Sequence, residues 1–337
     1  MGEHLKAGKL SQNVYMRSIQ KQVHTDETRL LAGPGYGISC SAVQTKGEEV
    51  FVFAVEQVDC AGEWKNLEKN TPVELGLLAA CNALAAAGAS PIGIQLSILF
   101  PTEYNEQQLR DLVQQVDRAC VAKEILLMHV DTQVTRAVRA PYLTLTAVGR
   151  APHATFVTGT LEPGMDILAV NWVGMEGTVL LAQSKEEELR TRYAQPFLDR
   201  AKAFGAYFDI ASEAAVAAQS GAGAMYAVAE GGIFAALWEF AERAGVGLEI
   251  DLKKIPIRQE TVEICEFFDI NPYKLCSSGC LLIGTKHTAV TVDALTQAGA
   301  TVVSIGHATD GKDRVLWNRE ERRFLERPQP DEITRWM

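Results

Sequence analysis

The sequence is poor in most features that mark a specialised class of protein. Aromatic residues make up 7% of it, and proline contributes 12 of its 337 residues. No low-complexity tract or run of one charge stands out, which excludes a disordered tail and a collagen-like rod. Positive charge is in deficit: 32 Lys and Arg face 42 Asp and Glu, a net charge of −10. An acidic surface repels phosphate backbones, so no nucleic-acid partner is expected, although a small basic pocket for one nucleotide remains open. The seven cysteines (40, 60, 81, 120, 265, 276 and 280) are odd in number and irregularly spaced. That suits a reducing cytoplasm better than a disulfide framework. Cys276 and Cys280 form a C-x3-C pair with no second pair, which is a poor zinc signature and leaves only a weak redox reading. The N-terminal MGEHLKAGKLSQ has no apolar core, so no signal peptide is expected. The run from Leu75 to Ala89 is interrupted by Asn82 and falls short of the roughly 20 apolar residues that span a bilayer. There is no G-x-S-x-G, no H-E-x-x-H and no cluster among the six histidines.

What is present is a regular alternation of strands and helices. At roughly 150 residues per domain the length suggests two domains. Leu10, Val14, Ile19 and Val23 give the first 30 residues a rough helical period. Strands are expected at 49–55, 92–98, 125–130 and 142–149, and helices at 72–87 and 106–121. Thr71 with Pro72, and Asn105 with Gln108, supply the helix starts. The stretch 150–163 holds two prolines and small polar residues, so the boundary is placed there, between domains 1–152 and 160–330. The second half predicts strands at 166–172, 248–252, 280–284 and 301–307. Its helices are expected at 178–184, 186–203, 211–219, 233–244, 258–268 and 287–298. The class is α/β or α+β.

Three turns offer backbone N–H groups to an anion: Gly174 to Thr178, Glu230-Gly231-Gly232 and Ser277-Ser278-Gly279. Each alone is more often a plain cap or turn, and only the three together in one domain bring an anion site to even weight. GPGYG at 33–37 brings its third glycine one residue early for a dinucleotide fingerprint and reads as a tight turn. Asp131-Thr132 follows the strand ILLMHV, where ligand residues often project, and Asn82 is polar in an Ala-rich helix.

GKL at 8–10, CNALAAAGASPIGI at 81–94, HVDTQVT at 129–135, GMEGT at 174–178 and the stretch 225–257 together resemble the PurM-like superfamily. That superfamily includes AIR synthase, selenophosphate synthetase, thiamine-monophosphate kinase and HypE, and the likeness is nearest to AIR synthase-related, HypE-like proteins. The resemblance implies a two-domain fold in which the N-terminal sheet forms a barrel across a homodimer and the C-terminal α/β domain packs beside it. It implies ATP and Mg2+ in a cleft near that interface, and phosphoryl transfer that activates a small-molecule oxygen. Carried over residue by residue, it makes Asp131 and Glu230 catalytic. It makes Lys9, Asn82, Thr132, Gly231, Gly232, Ser278 and Gly279 cofactor-binding, and Glu56, Asp59 and Asp131 metal ligands.

The sequence departs from the family in one direction. Cys40 stands where a carboxylate is usual, the next strand carries Glu56-Gln57 with Asp59 two residues on, Asn82-Ala83 replaces Asn-Asp, and Tyr226-Ala227 replaces His-Asp. The sequence given ends in DEITRWM, without the terminal Cys on which HypE carries its carbamoyl group. Two readings follow. One is an ATP-dependent phosphoryl-transfer enzyme. The other is a non-catalytic binding or regulatory relative, for which an intact paralogue is the expected partner.

Overall fold

A computed structural model of the chain describes residues 5, 8–23, 30–62, 67, 69–157 and 160–336. A short arm opens with α1 (Gln12–Tyr15) and a π-turn over 16–20. The first sheet is built from β1 (Leu30–Ala32), β2 (Cys40–Gln44) and β3 (Glu49–Asp59), then, after α2 (Pro72–Ala86), β4 (Ser90–Pro101). After α3 (Glu106–Ala122) come β5 (Leu126–Thr135) and β6 (Tyr142–Pro152). The strand order is β1-β2-β3-β6-β4-β5. Both α2 and α3 start in reciprocal capping boxes, Thr71 with Glu74 and Asn105 with Gln108.

Alternation decides which face of this sheet is covered. Val50, Val52, Ala54 and Val58 of β3, Ile94, Leu96 and Ile98 of β4, and Leu143 and Leu145 of β6 are buried against the helices, α2 contributing Leu77 and Leu84. The opposite face carries Phe51 and Val55, which are 40% and 55% exposed. One face is therefore an ordinary core and the other is bare.

The second half contains β7 (Asp166–Val170), α4 (Met175–Ser184), α5 (Glu186–Leu189), α6 (Gln195–Lys202), α7 (Ala211–Gln219), β8 (Ala222–Ala227) and α8 (Gly232–Ala244). It continues with β9 (Gly247–Asp251), α9 (Gln259–Phe267), β10 (Leu281–Thr285), α10 (Thr288–Gln297), β11 (Val302–Thr309), β12 (Arg314–Asn318) and β13 (Glu321–Phe324). Its seven strands run β13-β12-β9-β11-β7-β10-β8. This sheet is covered on both faces. Ile167 and Ala169 of β7 pack with Ile233, Leu237 and Phe240 of α8, while Leu168 and Val170 pack with Ala214, Ala217 and Leu295 of α7 and α10.

Two expectations needed correction. The helix expected over 186–203 is two pieces, α5 and α6, because Pro196 sits in the first turn of α6 and cannot continue a helix from upstream. Asp131 and Thr132 lie inside β5, not beyond it.

Candidate active site: an acidic cleft around Lys9

The chemistry gathers where the covered face of the first sheet meets the start of α8. Along β3 the inward positions run Val50, Val52, Ala54, and the next is Glu56. Facing it, Gly231 and Gly232 turn the chain from β8 into α8 with φ of +80° and +64°. A Cβ on Gly232 would stand 2.6 Å from the Tyr273 carbonyl oxygen and 2.7 Å from that of Leu275, so only glycine fits. Lys9, on the N-terminal arm, reaches this cleft, with its Nζ 3.6 Å from Glu239 of α8. The arm is fixed to α8 by Gln12, which accepts from Trp238 Nε1 at 3.2 Å and donates to Glu242.

The electrostatics follow from crowding. Partial desolvation opposes the Lys9 charge, but Glu239, Glu230 and Glu56 outweigh it and raise its pKa above the ordinary 10.5. Burial raises the Glu56 carboxyl to about 7; Lys9 works against this, and Glu230 and Glu176 add to it. Glu176, in the first turn of α4, is raised by burial and by Glu230, and its Oε2 accepts from the Ser278 N–H at 3.2 Å. Glu239 is 4% exposed and accepts from the Tyr226 hydroxyl. Burial and that carboxylate push the Tyr226 phenol well above 10.

Two of the three turns expected to seat a phosphate are already engaged by carboxylates. The Gly231 N–H donates to Asp331 Oδ2 at 2.6 Å, and Asp331 is 2% exposed. Burial raises its carboxyl to about 7, although hydrogen bonds from Ile333 and Gly231 favour the anion. The Ser278 N–H serves Glu176 in the same way. Carboxylates of this chain thus occupy both positions where ligand oxygens were expected.

Several expected site residues are not brought together. Asp59 turns back to accept from the Ala61 N–H at 2.9 Å. Asn82 is 4% exposed and spends its amide on the Phe208 carbonyl at 2.8 Å and the Ile210 N–H at 3.3 Å, which ties α2 to the second half. Strand register removes Asp131 from the cleft of its own chain. Glu56, Leu145, Leu96 and Val130 form one row across the sheet, and Gln57, Thr144, Ser97 and Asp131 form the next. Neighbouring positions on a strand face opposite sides, so Asp131 lies on the bare face, three strands or about 14 Å from Glu56. Thr132 shares the covered side, but at the same outer strand. Among the described residues no three His, Cys, Asp or Glu side chains are placed to hold a metal ion. Cys276 and Cys280 are buried and free, and burial raises both thiols, Cys280 to about 12. Buried, protonated thiols are poor nucleophiles and poor metal ligands, which weighs against the redox and metal reading of the pair.

Sequence reasoning missed Glu176, Glu239, Tyr226 and Asp331 as members of the site. Glu239 had a visible signal, an acid between Trp238 and Phe240 on a helix whose inner face is apolar. A separate open cavity of about 620 Å³, lined by residues such as Cys60, Tyr104 and Arg118, contains none of the residues named for the cleft.

Glu56 gives a stability test with a definite sign. Its carboxyl titrates at about 7 in the folded chain against 4.5 ordinarily. The folded state therefore carries a cost that grows as pH rises from 4.5 to about 7 and is full above that. Glu56→Gln is expected to be more stable than the parent by about 1–2 kcal/mol at pH 8, discounted for partial exposure, and equal to it below about pH 4.5. Calorimetric melting across this range checks the convergence, and a constant offset at all pH values would disprove it.

A half-open six-stranded sheet, a fully covered seven-stranded sheet and a cleft between them crossed by an N-terminal lysine define a two-domain α/β protein with its site at the domain junction. The chain belongs to the AIR synthase related protein family: residues 40–151 match its N-terminal domain and residues 162–318 its C-terminal domain. It has the PurM-like two-domain fold. Carbamoyl dehydratase HypE of Rhodobacter capsulatus is 29% identical over 225 residues, which span 63% of this chain and 64% of that one. The solved structure of HypE in complex with ATP has a TM-score of 0.68 and 15% identity, covering 86% of this chain and 88% of that one. AaThiL, solved with AMPPCP and TMP, has a TM-score of 0.69 and 16% identity, covering 95% and 98%. No helix among the described residues is long and apolar enough to cross a membrane.

Proposed function

We propose that this chain binds ATP in the Lys9 cleft and transfers a phosphoryl group to an oxygen of a small molecule. The observation that carries this reading is the convergence of Lys9 with Glu56, Glu176, Glu230 and Glu239 at the glycine turn opening α8. The family's solved members with ATP and AMPPCP support it. In this reading the Lys9 ammonium donates to phosphate oxygens, held toward them by Glu239. Glu56, poised at about 7, takes the proton from the acceptor hydroxyl. The Gly231 N–H becomes available to a ligand oxygen when Asp331 withdraws. Mg2+ does not fit the expected set within one chain, since Asp59 is engaged locally and Asp131 is on the other face, and no step is assigned to it.

The second reading is a binding or regulatory relative without turnover. It is favoured by Ala83, Ala227 and Cys40 standing where carboxylates are usual, and by the internal engagement of Glu176 and Glu239. Calorimetric titration with ATP, with and without Mg2+, together with a hydrolysis assay, separates the two. Binding with turnover above a no-protein control supports the enzyme, and binding without turnover supports the relative. Absence of binding overturns the Lys9 cleft as a nucleotide site.

The bare face of the first sheet is proposed to close against a second copy, a homodimer that would carry Asp131 and Thr132 to the interface. A heteromer with an intact paralogue is the alternative. Val55→Lys, on that face, is expected to convert the dimer to a monomer with little change in melting temperature. Sedimentation velocity reads the result, and an unchanged dimer rejects this face. The seven free thiols accord with a reducing cytoplasm.

A further inference from the structure

Five arginines of the described chain lie over an aromatic ring: Arg192, Arg200, Arg258, Arg314 and Arg322. Four of them also hold a carboxylate. Arg192 lies 3.8 Å from Glu266, Arg200 2.8 Å from Glu260, Arg314 2.5 Å from Glu242 and Arg322 3.4 Å from Asp313. Arg258 is the exception. Its guanidinium carbon sits 4.4 Å from the Trp172 ring centroid and 5.6 Å from that of Phe204. Among the described residues it makes no hydrogen bond and no close ion pair, although its charge acts on Glu260; its Nε is buried without a partner, as is that of Arg314. Glu260, two residues on, is already paired with Arg200.

The surroundings are fixed rather than loose. Trp172 is crossed by Tyr207 edge-on at 5.2 Å, and Tyr207 is 41% exposed, so the cluster reaches solvent. Asn171, one residue before Trp172, donates to the Gly279 carbonyl at 3.1 Å. The Val173 N–H donates to the Pro256 carbonyl at 3.0 Å, which anchors the segment leading to Arg258. The turn 277–279 is shared: its Ser278 N–H faces Glu176, and its Gly279 lies against the Tyr207 backbone.

A guanidinium keeps its charge at any working pH and presents five N–H donors in one plane. Stacking satisfies its faces but none of those donors. Leaving a buried donor unpaired is unfavourable, and a ligand oxygen in the guanidinium plane would relieve that cost. We propose that Arg258, set on Trp172 and beside Tyr207, is an oxyanion-binding subsite for a small molecule that brings a carboxylate or a phosphate together with a flat apolar body. The subsite meets the Lys9 cleft through the turn 277–279 but needs no nucleotide, so its test does not depend on the phosphoryl-transfer reading.

The probes are inorganic phosphate and benzoate, titrated separately into the full chain without nucleotide, with heat and tryptophan emission followed together. Saturable binding of either probe is expected, with the emission change lost in Trp172→Phe. Arg258→Gln is expected to weaken binding by about tenfold or more, and Arg258→Lys, which keeps the charge but not the fork, by less. A response to phosphate alone identifies a phosphoryl ligand, and a response to benzoate alone a carboxylate. If Arg258→Gln fails to fold, the Arg258→Lys comparison decides. Absence of binding by both probes at millimolar concentration, or equal binding by a folded Arg258 variant, overturns the proposal.

Discussion

Lys9→Met should weaken ATP binding by about 10- to 100-fold, the value of a charge-assisted contact to a phosphate. Methionine keeps much of the length of the stem and removes only the ammonium. The cleft then presents Glu56, Glu176, Glu230 and Glu239 to a polyanion with no opposing charge from the arm. The side chain of Lys9 is 52% exposed, so its loss costs the fold little. The parent and variant should therefore melt within a few degrees of each other while their ATP isotherms differ. Equal isotherms would remove Lys9 from the site and take with them the central support for the nucleotide reading.

The largest effect on stability is expected from Gly279→Ala. Gly279 has φ of +93°, and a Cβ there would lie 2.3 Å from the Tyr207 carbonyl oxygen and 2.8 Å from Met175 Cε. The methionine could move, but the carbonyl belongs to backbone that is itself packed against α2 through Phe208 and Asn82. Strain and backbone displacement together should cost about 3–5 kcal/mol. Denaturant unfolding checks this, with Gly164→Ala as a control: that glycine also has positive φ (+82°) but an added Cβ would meet nothing within 4 Å. A similar loss in both variants would mean that φ alone, and not the close approach, makes Gly279 necessary.

The fold was legible where one rule acted alone. Asn105 and Gln108 specify the start of α3, and the alternation of Ile92, Ile94, Leu96 and Ile98 marks β4, because capping and period-two burial are local effects. β8 was invisible because AGAMYA has little strand propensity; it exists through pairing with β10, which no local pattern shows. The site was legible in its backbone and obscure in its acids. Glycines at 231 and 232 announce a tight turn from composition alone. That the turn's N–H would be claimed by Asp331, a hundred residues later, depends on tertiary contact. Asp131 is the reverse case within one chain. The family resemblance draws attention to it, yet one step of strand register puts it on the far side of the sheet from Glu56.

Asn82 has a mechanical consequence. Its amide is buried and engaged at both ends on the second half of the chain, and Leu78, one turn earlier, is buried with Met175, Val179, Phe204 and Phe208. Swinging the halves apart about the segment 153–165 would strip partners from two buried backbone groups and open that apolar contact together. Rigid-body hinging is therefore a costly way to admit a ligand. The arm carrying Lys9, which Lys9 and Gln12 hold to α8 through side-chain contacts, is the lighter attachment, whereas the segment carrying Asp331 is anchored in the core by Ile333. Opening the cleft is then a matter of displacing that arm at the cost of its side-chain contacts, rather than of parting the two halves.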